Sequence, residues 1–187
     1  MGIIFEGDMS WNKQLAYICR VLRNVACLLY NIRVFVPFHV RKILVHALAY
    51  SVLRYGVTVF AHSAGLWHEK VNSVLKCLLK NVAYNSSYSN STNLFADLEM
   101  PNFFSLYQET VILRYFWTDS YKIPHVSSRI LRQSIRFEKP RCFTRYGMKT
   151  RDYYVPDTFN QLPDCVFSLD SKTKVKTWLR GYMSDAV

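Results

Sequence analysis

Apolar residues recur along the first 36 positions at alternating intervals of four and three, the spacing of one face of an α-helix. Lys13, Arg20 and Asn24 fall on the opposite face, and Ser10 is placed to cap the helix N-terminus. This pattern predicts a helix packed into a core. A homodimeric coiled coil is the alternative, because Pro37 ends the pattern after about four heptads. The apolar positions are Trp11, Leu15, Ile18, Leu22, Val25, Leu29, Ile32 and Val36.

Two further helices are predicted before residue 85. Pro37 suits the first turn of the second helix, and Gly56 is its predicted end or kink. Its apolar face comprises Val40, Ile43, Leu44, Ala47, Leu48 and Val52. The third helix covers residues 66–84, with Val71, Val74, Leu75, Leu78 and Val82 inward and Lys70, Lys76 and Lys80 outward. Short connections between the three helices favour an antiparallel bundle.

The remaining segments are shorter. Residues 2–5 are compatible with one strand, residues 85–93 form a polar loop, and residues 102–117 are predicted to be helical. From Pro124 onward the pattern predicts loops and short strands, punctuated by Pro140, Gly147, Pro156 and Pro163, before a last amphipathic helix over residues 171–183. We therefore expect a mainly α protein in which an antiparallel three-helix bundle precedes a smaller mixed α/β C-terminal part. The predicted segments are residues 1–84, a linker loop and helix at 85–123, and a basic part at 124–187.

Composition adds a strong positive charge to this fold. The chain has 187 residues, 50% of them hydrophobic, and a formal net charge of +11, which excludes a disordered or acidic solvating protein. The excess charge lies in segments 36–84 (+5) and 126–187 (+6), on either side of a slightly acidic segment at 85–125 (−2). Basic globular proteins often contact nucleic acid, and a solvated basic surface is the simpler alternative. The apolar stretch 43–61 is interrupted by His46 and Arg54, so we expect a buried helix and no membrane partner.

The C-terminal basic segment alternates cations with aromatic rings, as in surfaces that hold phosphates and stack on unpaired bases. The interleaved rings are Phe137, Phe143, Tyr146, Tyr153 and Tyr154. The residues predicted to contact phosphates are Arg136, Lys139, Arg141, Arg145, Lys149 and Arg151, followed in rank by Lys70, Lys76 and Lys80. Nucleic acid is therefore the expected partner.

Other chemistries find little support in the sequence. Five cysteines without a C-x-x-C pair predict free, mostly buried thiols in a reducing compartment. The first residues lack the pattern of a secretory signal, so we expect an intracellular location, in the cytoplasm or nucleus. Cys142, Cys165 and His125 are too widely spaced to suggest a zinc site, and no glycine-rich phosphate loop occurs. We expect no metal, no cofactor and no small-molecule substrate.

Several short motifs resemble, in their order, the C-terminal part of reverse transcriptases from non-LTR (LINE-type, jockey-like) retrotransposons. Residues 2–5 followed by Ser10-Trp11-Asn12-Lys13 resemble the segment just after the polymerase palm, and Leu53–Val57 resembles an "RYG" helix end. The other matching segments are Leu94–Pro101 with Leu106-Tyr107, then Thr144–Gly147, Phe159–Pro163 and Lys174–Tyr182. The chain departs from the family pattern at Phe60 and Phe159, where Trp is usual, and at Glu6, where Asp is usual.

The resemblance implies a thumb in residues 1–84 and a post-thumb region after it, which in these polymerases grip the primer–template duplex and the template RNA. The family's catalytic Tyr-x-Asp-Asp hairpin has no counterpart, since the chain contains no Asp-Asp pair, and metal-assisted phosphoryl transfer needs converging carboxylates. The sequence thus predicts a non-catalytic C-terminal fragment of a retrotransposon RNA-directed DNA polymerase, not an enzyme on its own, which binds RNA or RNA–DNA backbone through basic patches. The alternative is a helical protein-interaction module or a non-functional element remnant.

Overall fold

Helices account for most of the residues that the computed structural model describes, which are 2–8, 10–61, 65–124, 137–144 and 146–185. The helices are α1 Asn12–Ile32, α2 Phe38–Val45, α3 Ser51–Arg54, α4 Val57–Phe60, α5 Gly65–Ala83, α6 Leu94–Asp97, α7 Phe103–Tyr115, α8 Arg151–Asn160 and α9 Lys172–Asp185. One π-helical turn, His46–Tyr50, joins α2 to α3, and short 3-10 turns occupy Asp119–Tyr121, Gly147–Lys149 and Asp164–Ser168. The mainly α prediction is confirmed. The mixed α/β C-terminal part is wrong: in the described ranges the only β pairing is an isolated bridge between Pro124 and Phe137.

The chain forms two compact units. The first comprises residues 1–107 and 180–187, and the second comprises residues 108–179. The three segments predicted from the sequence, 1–84, 85–123 and 124–187, stay a prediction.

The start of α1 is stabilised by an acidic side chain rather than by the predicted serine cap. Trp11 precedes the helix in a left-handed conformation, with φ 61°. Ser10 makes no capping hydrogen bond and donates its hydroxyl to Glu6 Oε2 at 3.2 Å. The same Glu6 oxygen accepts the backbone N–H of Lys13 at 2.9 Å, so a carboxylate serves the positive end of the helix dipole. Residues 2–5 form no strand, and the N–H of Ile4 donates to Gln14 Oε1.

Hydrogen bonds fix the directions of the long helices in the first unit. At the starts of α1 and α5 the Trp67 indole N–H donates to Asn12 Oδ1, and near their ends Asn81 Nδ2 donates to the carbonyl of Ala26 at 3.0 Å. These two helices therefore run in the same direction. Arg41, at the start of α2, donates from Nη1 to the carbonyl of Asn81 near the end of α5. Helix α2 consequently runs opposite to α5.

The buried face of the second helical segment differs from the predicted one. Ile43 was assigned to the apolar face, yet 62% of it is exposed, and Leu48 is exposed as well. Val52 is buried as predicted, and the other core positions are Arg41, Val45, Ala49, Tyr50 and Leu53. A hydrophobicity pattern counts arginine as a polar residue, so it does not identify a buried face that contains Arg41. The π-helical turn then inserts an extra residue and shifts the register of the residues that follow.

Gly56 ends this segment as predicted and has a left-handed φ of 81°. A Cβ added there would lie 2.8 Å from Ile3 Cδ1, and an L-residue in this conformation costs about 1–2 kcal/mol. We expect Gly56→Ala to lower the free energy of unfolding by about 1–2 kcal/mol in urea titrations. Gly7→Ala is the control, because a Cβ at Gly7 meets nothing within 4 Å. Equal stability of the two variants would contradict the strain at Gly56.

The second unit is built around aromatic rings. Phe116 stacks on Phe167 with ring centroids 5.7 Å apart, and Phe137 and Phe159 contact the Phe167 ring edge-on. Pro156, expected to punctuate a loop, lies inside α8. Proline removes one backbone N–H from a helix, and the buried neighbours Val155 and Phe159 offset that loss by packing.

Helix α1 also has the length and mean hydropathy of a membrane-crossing segment. Seven of its residues are buried in the first unit: Gln14, Leu15, Ile18, Cys19, Leu22, Ala26 and Leu29. The core helices of soluble proteins pass the same length and hydropathy test, so this property alone assigns no membrane role.

Candidate nucleic-acid interface

The highest-ranked predicted phosphate ligands lie in the second unit, and the structure leaves few of them available. Arg136 and Arg145 fall outside the described residues. Lys139 Nζ bonds Asp157 Oδ1 at 2.6 Å, and this hydrogen bond raises the pKa of Lys139. Its ammonium also lies 5.2 Å from the centre of the Tyr153 ring. Lys139 is thus already neutralised by a carboxylate.

The other three cations of this segment have mixed surroundings. Arg141 is exposed, and the Lys149 ammonium lies 5.7 Å from the centre of the Tyr146 ring. Arg151 lies 3.7 Å from an Asp152 oxygen and borders an open cleft of about 520 Å³. The cleft is lined by Ser120, Tyr121, Ile123, Glu138, Pro140, Arg151, Asp152 and Pro156. Two carboxylates beside one guanidinium make this cleft a poor phosphate site.

The three predicted lysines of α5 are all exposed, but they do not share one row. Residues three and four apart on a helix line up on one side. Lys70 and Lys80 belong to a single exposed row together with Ser73, Cys77 and Tyr84, the residue that follows the helix. Lys76 lies on a neighbouring row with Glu69, the only acidic residue in α5. The Lys70 ammonium lies 4.5 Å from the centre of the Trp67 ring.

A second exposed row runs along α1 and was missed as a site in the sequence. It contains Lys13, Ala16, Arg20, Arg23, Cys27 and Tyr30, spaced alternately three and four apart and all exposed. Helix α1 has no acidic residue. Regularly spaced cations in a helix without acidic residues could have indicated this site from the sequence. The sequence analysis instead assigned these cations to the solvated side of a core helix.

Two observations show that these rows adjoin. Burial raises the pKa of the Cys19 thiol, and the charges of Arg23 from α1 and Lys70 from α5 both oppose that rise, so both cations lie near Cys19. At the far end the guanidinium carbon of Arg33 lies 3.9 Å from the centre of the Tyr30 ring and 4.2 Å from that of Tyr84. We call the two rows together the basic face; its cations are Lys13, Arg20, Arg23, Lys70 and Lys80.

The basic face carries cations without paired acids over most of its length. Neither row contains a carboxylate. At the start of α1, Glu6 accepts the Lys13 N–H, and the Lys13 charge contributes to lowering the pKa of Asp8 after the hydrogen bonds from Ser10. The α1 row extends about 25 Å at the helical rise, which matches about seven phosphates of one strand at B-form spacing.

Thiols are more exposed than expected. Cys19 is buried, but Cys27 and Cys77 lie on the basic face, Cys165 is exposed and Cys142 is half-buried; all five are free. The prediction of mostly buried thiols is wrong, because Cys27 and Cys77 sit outside the apolar stripes of their helices. Within the described part of the chain, no three His, Cys, Asp or Glu residues converge to hold a metal ion.

Comparison with known proteins adds no further constraint. No protein-family model, curated protein or solved structure matches the chain. The assignment of function therefore depends on the residues and geometry described above.

Proposed function

We propose that this protein binds the sugar–phosphate backbone of RNA or of an RNA–DNA hybrid through the basic face of α1 and α5. The observation that carries the proposal is the pair of adjoining exposed rows with five cations and no carboxylate. Lysine and arginine neutralise phosphates and release condensed counterions, which gives affinity without sequence readout. Parallel neighbouring helices keep the cations in a fixed array.

The resemblance to non-LTR retrotransposon reverse transcriptases supports the same proposal. According to this resemblance, residues 1–84 are a thumb-like helical bundle, and the protein is a non-catalytic C-terminal fragment of an RNA-directed DNA polymerase that acts in the cytoplasm or nucleus. The alternating directions of α1, α2 and α5 suit an antiparallel three-helix thumb. The exposed Arg141 and Arg151 and the half-buried Lys149 serve as a weaker second contact.

A salt titration of binding to single-stranded RNA and to an RNA–DNA hybrid tests the proposal. Four or five phosphate contacts predict a slope of log K against log salt of about −3 for single strands and about −4 for a duplex. Affinity should then fall on the order of 100-fold between 50 and 200 mM salt. Fluorescence anisotropy with labelled 12-mers measures both quantities. Absence of binding at low salt would refute the proposal.

A protein-interaction module is the second candidate, and one observation favours it. Phe35, in the turn after α1, is 86% exposed, and its neighbour Val34 is also exposed. The apolar stripe of α1 is unavailable to a partner because Leu15, Ile18 and Leu22 lie in the core. Binding to a protein through Phe35 would be nearly indifferent to salt, which separates this candidate from the first.

A further inference from the structure

The two rows of the basic face end in a stack of one guanidinium between two tyrosine rings. Arg33 contacts Tyr30 at 3.9 Å and Tyr84 at 4.2 Å, so each ring presents one face to the guanidinium. Tyr30 is 54% exposed and Tyr84 is 38% exposed. Each ring therefore keeps substantial surface open to solvent, which is unusual for aromatic side chains whose role is only to pack a core.

Two arginines place positive charge at the stack, where the C-terminal ends of two helices would ordinarily present negative charge. The C-termini of α1 and α5 would present the negative ends of their dipoles. Arg41, buried behind them, donates from Nη1 to the Asn81 carbonyl, and its Nε has no hydrogen-bond partner in the described structure. Burial first, and the nearby charge of Arg33 second, lower the pKa of Arg41. The two guanidiniums are thus close, and both offset the helix dipoles.

The Arg33 guanidinium forms no ion pair with the acidic residues that the structure describes. Among the described residues no salt bridge joins it to a carboxylate, and its recorded contacts are the two tyrosine rings. A guanidinium has five N–H donors, so one that contacts aromatic rings can still donate to phosphate or base acceptors. The rings supply flat surfaces on which any base can stack.

We propose that the Tyr30–Arg33–Tyr84 stack is a binding site for an unpaired nucleobase at the end of the basic face. This inference rests on the proposed nucleic-acid binding. It adds a preference for strands with unpaired residues, since bases inside a duplex cannot leave their own stack to reach a tyrosine. A duplex with a single-stranded overhang would place its backbone on the basic face and an overhanging base on Tyr30 or Tyr84.

The test compares three probes on the full chain: a blunt RNA–DNA duplex, the same duplex with an overhang of about three nucleotides, and that overhang with abasic residues. One aromatic–base contact is worth roughly 1–3 kcal/mol, so we expect the overhang to bind about tenfold more tightly than the blunt duplex. The abasic overhang should bind like the blunt duplex, because its phosphates are retained and its bases are absent. Quenching of 2-aminopurine in the overhang should report the stacking directly.

Variants locate the site. Tyr30→Ala combined with Tyr84→Ala should remove the tenfold advantage of the overhang over the blunt duplex. Tyr30→Phe combined with Tyr84→Phe keeps the rings and should retain the advantage, which also controls for folding. Equal loss on all three probes, or an abasic overhang as tight as the natural one, would overturn the stacking site. Absence of binding by the unmodified protein to every probe would instead refute the proposed function.

Discussion

Replacing Arg23, Lys70 and Lys80 together by Gln is expected to weaken RNA binding on the order of 100-fold at 100 mM salt. Each phosphate contact contributes about 0.7–0.9 to the salt slope, so the slope should fall in magnitude by about 2 to 3. All three side chains are exposed, and glutamine has a similar helix propensity. The loss should therefore come from phosphate contacts, with little change in the midpoint of thermal unfolding.

A matched variant separates location from net charge. The matched variant removes the same number of positive charges from the second unit, by the substitutions Arg141→Gln, Lys149→Gln and Arg151→Gln. In that unit Arg151 already lies beside Asp152. We expect this second triple variant to lose less than about fivefold, with a salt slope reduced by less than one. Anisotropy titrations at several salt concentrations measure both variants. The reverse order of effects would move the interface to the C-terminal segment and contradict the basic face.

The helices of the first unit could be predicted largely from hydrophobic spacing, and the exceptions have identifiable causes. Helix α5 buries Val71, Leu75 and Leu78, as its pattern predicts. The second helical segment was given the wrong face because Arg41 occupies a core position, where its charge is partnered by a helix-end carbonyl. Periodicity treats a cation as an exposed residue, so it cannot find such a position.

The C-terminal segment was harder to predict because its order depends on long-range aromatic contacts. Proline and glycine suggested loops and strands, yet α8 forms around Pro156 and packs Phe159 against Phe137 and Phe167. Local helix or strand propensity contributes little free energy compared with the burial of large rings, because each ring removes a large apolar area from water. The position of Phe137 is set by a residue 23 positions later, which no local pattern records.

The sequence predicts basic residues for the candidate site, and the proposed basic face includes Lys70 and Lys80 from that set together with cations of α1. Charge counting identified two basic segments, and Lys70 and Lys80 remain on the proposed interface. Counting cannot reveal that Lys139 is bound to Asp157, which is distant in sequence and adjacent in space. Nor can it reveal that Arg23 and Lys70 both lie near Cys19, because that proximity depends on the parallel packing of α1 and α5.

Asn160 links two segments of the second unit that are distant in sequence. Its Oδ1 accepts the Phe137 N–H at 2.8 Å, and its Nδ2 donates to the Phe137 carbonyl at 3.0 Å. The amide thus replaces the backbone partner that a neighbouring strand would supply. Asn160 also lies in the Phe159–Pro163 segment that resembles the retrotransposon enzymes, so a motif residue has a structural role here.

We expect Asn160→Ala to destabilise the second unit by about 2–3 kcal/mol, because two hydrogen bonds are lost and the buried Phe137 backbone keeps no replacement from that side chain. Hydrogen exchange followed by mass spectrometry should show faster exchange around residue 137 and in α8, with α1 and α5 unchanged. Gln161→Ala is the matched control, since the exposed Gln161 side chain accepts a solvent-exposed hydrogen bond from Gln108 Nε2, and it should change stability by less than about 0.5 kcal/mol. Faster exchange throughout the first unit, or equal effects of the two substitutions, would show that the Asn160 amide does not hold Phe137 in place.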